Sequence, residues 1–198
     1  MSKTYDRRYF DKWYRSGDRV HERGEVRRKT ALAISVAEYF LRRRIETVLD
    51  VGCGEGAWYR HLRSFRPRAQ YAGIDASEYA VAEFGSDRNI RLGRFGDLPS
   101  MNFGAPFDLV VCSDVLHYVP DAEIRRGVPT LARLTGGVAF VEVLTEEDEI
   151  VGDLEGLIRR PAAWYRGLLS KSKLVQAGPY CWLSPHMKGE VAELETLG

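Results

Sequence analysis

No stretch of this sequence stays apolar long enough to cross a bilayer. Hydrophobic residues make up 44% of the chain, yet they never gather into the run of ~18–20 that a spanning helix needs. The opening residues, MSKTYDRRYFDKWYRSGD, are polar and aromatic and hold no apolar core of the kind a secretory leader requires. Cysteine is scarce: Cys53, Cys112 and Cys181 are odd in number and far apart. That excludes a disulfide framework and a cysteine zinc site, and it fits a reducing, cytoplasmic setting. Internal repeats and low-complexity tracts are missing. So is a marked net charge, because 29 Lys and Arg stand against 28 Asp and Glu, for +1. The balance is uneven along the chain: residues 1–68 carry 17 basic and 9 acidic side chains, whereas the remainder carries 12 and 19. The basic residues are interleaved with acids, which reads as a solvated helical surface and not as a nucleic-acid-binding block.

What is present is an alternation of strands and helices over a length, 198 residues, that suits one domain. Residues 5–15 predict a short aromatic helix. In 24–44, Leu32, Val36 and Phe40 recur every fourth position with Ala33, Ala37 and Leu41 beside them, which makes one apolar helical face. Strands are expected at 46–51, 70–75, 89–95, 107–116 and 136–144. Helices are expected at 56–65, stopped ahead of Pro67, and at 77–85, from Ser77 as N-cap to Gly85 as C-cap. A further helix at 121–134 carries Gly127 and Pro129, which predict a kink or split. Residues 152–178 predict one or two helices, with Pro161 in the first turn of the second, and PYCWLS and EVAELETL predict a terminal strand pair. Alternating strands and helices imply a parallel sheet covered on both faces. Ligands of such sheets lie beyond the carboxyl ends of the strands, where the strand order reverses.

The first strand runs into VLDVGCGEG. The glycines match the dinucleotide pattern G-x-G-x-x-G/A, with Ala57 in the last place, and Asp75 ends the second strand 19 residues beyond Gly56, where a ribose is gripped. Asp50, two residues ahead of the first glycine, speaks against a pyrophosphate, which its carboxylate would oppose. S-adenosylmethionine has no phosphate and carries a sulfonium and an ammonium. An acid beside the turn favours that partly cationic ligand and orders the loop through backbone N–H groups.

With these pieces in order, the sequence resembles the class I S-adenosylmethionine-dependent methyltransferases, in their small single-domain form. The resemblance is carried by VLDVGCGEG, YAGIDAS, LGRFGDLPS, FDLVVCSDVLHYVP and GGVAFVEV, over roughly residues 46–145. It implies an α/β fold: a Rossmann-like, seven-stranded, mostly parallel sheet with helices on both faces and an antiparallel last strand. It implies S-adenosyl-L-methionine as cofactor. Gly52, Gly54 and Gly56 let the backbone approach it, Asp50 orders the loop, Asp75 takes the ribose hydroxyls and Ala76 packs beside the adenine. Asp97 accepts from the adenine amino group, Leu98 offers its backbone N–H, and Ser113 and Leu116 line the sulfonium side. Tyr14 belongs to an N-terminal lid, and Arg28 reaches the cofactor's carboxylate.

Methyl transfer needs alignment and, for a weak nucleophile, a base. His117 is the candidate base, because an imidazole titrates near neutrality; Tyr118, Glu142 and Tyr165 are weaker candidates. Trp164 and Tyr165 are candidates for a wall against a planar acceptor. After the fourth strand there is no Asn/Asp-Pro-Pro-Tyr/Phe motif, as nucleobase and glutamine amino methylation uses, and no proline precedes Cys112. No metal site is expected. The expected organisation is a single methyltransferase domain over 1–198: an N-terminal helical lid (1–23), a cofactor-binding core (24–145), then substrate-side helices and a strand pair (146–198). The expected activity is methyl transfer to an O or N atom of a small molecule by a cytoplasmic monomer or homodimer that engages neither nucleic acid nor membrane. The alternatives are an RNA or protein methyltransferase and a non-catalytic S-adenosylmethionine-binding partner protein.

Overall fold

Strand-forming segments rich in Val, Leu and Ile alternate with amphipathic helices, and the chain winds them into a seven-stranded sheet. The computed structural model describes residues 3–15, 24–149 and 152–190. After a short α1 (Arg7–Phe10), which widens into a π turn over Asp11–Arg15, come α2 (Glu25–Leu41), β1 (Thr47–Val51), α3 (Ala57–Phe65) and β2 (Gln70–Asp75). Then follow α4 (Glu78–Arg88), β3 (Ile90–Leu92), β4 (Phe107–Ser113), α5 (Asp121–Leu134), β5 (Thr135–Glu142), α6 (Ala162–Lys171), β6 (Val175–Gln176) and β7 (Cys181–Leu183). The sheet order is β3-β2-β1-β4-β5-β7-β6. Pairing is parallel throughout β1 to β5, and β7 runs antiparallel between β5 and β6. This is the Rossmann-like arrangement expected from the sequence, and its order reverses between β1 and β4.

Side chains alternate across the strands, as strand geometry demands. Leu49, Val51, Ala72, Ile74, Val110, Cys112, Ala139 and Val141 pack with α5 and α6 on one face. Val48, Tyr71, Leu109, Val111, Val138 and Phe140 pack with α2 and α3 on the other. Strands buried on both sides explain the continuous apolar runs in their sequence. Among the described residues no helix is long and apolar enough to cross a membrane.

Several local expectations are corrected. α4 runs through Gly85 to Arg88 and ends on Asn89, whose φ is 51°. Gly85 is there because a Cβ would lie 3.0 Å from the Ile90 carbonyl. α5 is one continuous helix despite Pro129; proline and Arg125, whose carbonyl loses its helical partner, are both exposed to water. The third strand stops at Leu92, and Phe95–Ser100 folds as a 3₁₀ turn instead. The terminal strand pair is Val175–Gln176 with Cys181–Leu183. EVAELETL lies, beyond Glu190, outside the described residues.

Gly127 marks the close approach of α5 to that 3₁₀ turn. A Cβ there would fall 2.4 Å from Phe95 Cε1 and 2.8 Å from the Phe95 carbonyl. Alanine gains about 1 kcal/mol of helix propensity over glycine, whereas overpacking costs about 1–3 kcal/mol. Because one clashing atom is backbone, overpacking wins. Gly127→Ala is expected to lower unfolding free energy by about 1–2 kcal/mol net, read by urea denaturation; a more stable variant would contradict this packing.

Candidate active site

β1, β2 and β4 end side by side, and the turns leaving them open onto a cavity of about 790 Å³. Gly52 and Gly54 line it with φ of 74° and 53°, backbone that glycine adopts without steric cost. A Cβ on Gly52 would sit 2.3 Å from Val115 Cγ2, and one on Gly54 3.2 Å from Phe10. Bare backbone is therefore the floor of the cavity. The N–H groups of Gly52 and Cys53 donate to the Ile74 carbonyl at 2.8 and 3.1 Å, which ties the loop to β2. Gly56 caps α3 and is not among the lining residues.

Asp75 closes β2 with only 9% of its surface exposed. Its Oδ2 accepts the Gly54 N–H at 2.7 Å and its Oδ1 the Ser77 N–H at 2.8 Å. Burial raises its pKa, against the opposing pull of the backbone amides of Ser77, Gly54 and Ala76. Each carboxylate oxygen keeps capacity for one hydroxyl, and both Asp75 and Ala76 line the cavity. The cap of α4 is Ser77, whose Oγ accepts the Ala80 N–H at 3.0 Å and donates to the Tyr5 carbonyl at 2.5 Å.

Asp50 is elsewhere. It is buried beneath the loop, it does not line the cavity, and its hydrogen bond comes from the Tyr71 hydroxyl at 2.8 Å. Burial pushes its pKa up to about 7, the Tyr71 bond opposes that, and Asp75 adds to it. The expected role, ordering the loop through backbone amides, is replaced by a side-chain contact to β2.

His117 is also corrected. It is 1% exposed, it is not among the lining residues, and its Nδ1 accepts the Leu144 N–H at 3.2 Å. Burial, with Lys3 nearby, pushes its pKa down to about 4. This imidazole is engaged in the β5 exit loop and does not face the cavity. The residues of this turn that do reach the cavity are Asp114, Val115 and Tyr118. Leu116–Tyr118 is a 3₁₀ turn, in which consecutive side chains point about 120° apart, so adjacent aromatic residues face opposite ways.

Asp97 is exposed, and its Oδ2 accepts the Arg94 N–H at 3.0 Å, capping its own turn; Leu98 is fully buried in the core. This segment meets the cavity through Gly93, Arg94 and Phe95. Ser113 donates to Glu142 Oε2 at 2.6 Å, and Glu142 Oε1 lies 2.6 Å from Lys29 Nζ. Ser113, Leu116 and Glu142 are behind the cavity wall and do not line it. Arg28 is an exposed residue of α2 and does not line it either. Tyr165 and Trp164 pack on the buried Arg160, which also bonds the Leu116 and Val119 carbonyls and Asp121. They brace the 3₁₀ turn and do not line the cavity.

The N-terminal segment lines the remaining side with Lys3, Tyr5, Asp6, Tyr9, Phe10 and Tyr14. Phe10 packs on Tyr79 with ring centroids 5.7 Å apart. Aromatic density at 5–14 is visible in the sequence; which rings turn inward is not.

The donor set fits S-adenosylmethionine. Among the described residues, five carboxylates line the cavity, on Asp6, Asp75, Glu78, Asp114 and Glu123, against two cations, on Lys3 and Arg94. That balance suits a cationic ligand and opposes a polyphosphate. Residues 48–136 match the family model of a methyltransferase domain. Similar solved structures include an O-methyltransferase family protein from Burkholderia thailandensis, at 19% identity and TM-score 0.54 over 80% of this chain and 55% of that one. Streptomyces venezuelae DesVI is 16% identical with TM-score 0.59 over 81% and 92% of the two chains. A SAM dependent methyltransferase from Archaeoglobus fulgidus is 13% identical with TM-score 0.61 over 84% and 72%. The chain thus spans about half the length of the first of these, 55%. No curated protein matches the sequence.

The carboxyl group of Asp50 sets a pH dependence. Its folded pKa, about 7, stands above its ordinary 3.8, so the folded state holds this proton more tightly than the unfolded chain. The stabilisation is present below the ordinary value and is lost as pH rises towards the folded one. Asp50→Asn keeps the acceptor for Tyr71 and removes the charge. Its melting temperature is expected to equal that of the parent near pH 4 and exceed it by ~5–10 °C at pH 8; a gap that did not widen with pH would contradict the buried carboxylate. Residues 48–136 match the methyltransferase domain model, the chain shares its Rossmann-like fold with solved S-adenosylmethionine-dependent methyltransferases, and S-adenosylmethionine is the cofactor that this match implies.

Proposed function

We propose that this chain is an S-adenosylmethionine-dependent methyltransferase acting on an O or N atom of a small molecule. The observation that carries the reading is Asp75. Its carboxylate is held between the Gly54 and Ser77 amides at the edge of a glycine-floored cavity of about 790 Å³. When bound, S-adenosylmethionine supplies a methyl carbon on a cationic sulfur, a good leaving group. Asp75 holds the ribose, and the bare backbone of Gly52 and Gly54 admits the cofactor closely. Tyr5, Tyr9, Phe10 and Tyr14 exclude water from the opposite side, which supports the expected lid role of residues 1–23 over a core of 24–145. With His117 sequestered, Asp114 and Tyr118 are the ionisable groups of the β4 exit turn that face the cavity. The chain's contribution is then mainly alignment. Side chains of the N-terminal segment and of the core after β1, β2 and β4 wall the cavity together, which supports a small acceptor and the working of residues 1–198 as one domain. A cytoplasmic setting belongs to the same proposal.

Asp75→Ala is expected to weaken S-adenosylmethionine binding by about 1.5–3 kcal/mol, which is roughly 10- to 150-fold in calorimetry. A loss under about twofold would remove Asp75 from the site. Labelled methyl transfer to a panel of small alcohols, phenols and amines is expected to show turnover. Turnover confined to tRNA or peptides, or binding with no turnover at all, would instead establish one of the alternatives.

A further inference from the structure

Lys3 sits in an aromatic cage. Its ammonium nitrogen lies 3.8 Å from the centroid of the Tyr118 ring, 5.3 Å from Tyr9 and 5.4 Å from Tyr5. All three are inside the distance at which a ring face attracts a cation. The ammonium is also ion-paired with the buried Asp153 carboxylate and donates to the Glu155 carbonyl at 2.9 Å. The cage is braced from behind, because the Tyr118 hydroxyl donates to the Asp153 carbonyl at 2.7 Å. Lys3, Tyr5, Tyr9 and Tyr118 all line the cavity that holds Asp75.

Three rings, a carboxylate and a carbonyl around one nitrogen are a recognition site for an alkylammonium group. A lysine that only anchored the segment would need the Asp153 pair alone. We infer that the Tyr5–Tyr9–Tyr118–Asp153 cage is the subsite for an ammonium group on the methyl acceptor, occupied in this structure by the chain's own Lys3. The acceptor is then a cationic amine compound, and Lys3 must leave the cage before that compound can enter. The N-terminal segment thereby competes with the ligand for one site. Naming the ligand an acceptor rests on the methyltransferase reading; the cage itself rests on the geometry alone.

Tetramethylammonium, which offers a cation and no N–H, is the probe, with tert-butanol as its neutral counterpart. Calorimetry is expected to show Lys3→Ala binding tetramethylammonium at least tenfold more tightly than the parent protein. The gain should vanish in Lys3→Ala/Tyr118→Leu and shrink in Lys3→Ala/Asp153→Asn. Equal affinity in parent and Lys3→Ala, or tert-butanol bound as well as the cation, would overturn the inference. A second arm uses the parent protein, in case removing Lys3 unsettles the segment. Acetylation of Lys3 by an amine-reactive ester, followed by mass spectrometry, is expected to speed up several-fold with tetramethylammonium chloride relative to sodium chloride at the same ionic strength. No difference between the salts would overturn the inference. S-adenosylmethionine affinity, measured alongside, separates the two readings. If it is retained without ammonium binding, the cage assignment fails and the methyltransferase reading stands. If it is lost in every variant and in the parent, the methyltransferase reading fails. If tetramethylammonium displaces the cofactor, the cage belongs to the cofactor's own amino group and the acceptor inference falls.

Discussion

The site depends on one carboxylate held by two neighbouring turns. Asp75 takes a backbone N–H from the glycine loop after β1 and another from the start of α4 after β2. Such charge-assisted bonds are worth about 1.5–3 kcal/mol each, enough to offset much of the cost of burying the group. Ser77 continues the chain of contacts, capping α4 and bonding the Tyr5 carbonyl. Gly54, Asp75, Ser77 and Tyr5 therefore form one hydrogen-bonded series that joins the floor of the cavity to its aromatic side.

The sheet was legible because its strands are buried on both faces, so each appears as a short apolar run between turn residues. The glycine loop and Asp75 were legible because the steric demand on Gly52 and the charge on Asp75 leave specific residue types at fixed spacing. The expected site residues that lie away from the cavity do so for physical reasons. Asp97 and His117 have the right chemistry, but Asp97 is taken by the amide of its own turn and His117 by the Leu144 amide of the β5 exit loop, and single-residue pointing within a 3₁₀ turn has no signature in periodicity. A guanidinium makes Arg28 the expected partner of a carboxylate; the partly buried cation of that helix turn is Lys29, bound to Glu142 and Glu25. Asp50 was read as a partner for a cation and is a neutralisable group beneath the loop. The acidic balance of the cavity comes from Asp6, Glu78, Asp114 and Glu123, which sit on four different segments and so form no motif.

Besides the Ser77–Tyr5 hydrogen bond and the Arg15–Glu55 ion pair, two further contacts hold the N-terminal segment in place. Phe10 is buried against Tyr79 and the loop at Gly54, a docking that is apolar and insensitive to salt. Lys3 and its cage provide a polar attachment at the far end, to the stretch after β5. Lys3 lies beyond the last of the other anchors, Tyr5, so a displaceable cation can leave its cage while Tyr5, Phe10 and Arg15 keep the segment in place.

β7 lies antiparallel between β5 and β6, so the last strand among the described residues fills the interior of the sheet and not its margin. During synthesis, the hydrogen-bonding groups of Val138–Phe140 have no partner on that side until residues 181–183 have left the ribosome. A nascent chain shorter than that presents an open apolar strand edge, the feature most prone to pair with other chains. The exposure of that edge in chains that end before residue 181 is thus built into the strand order.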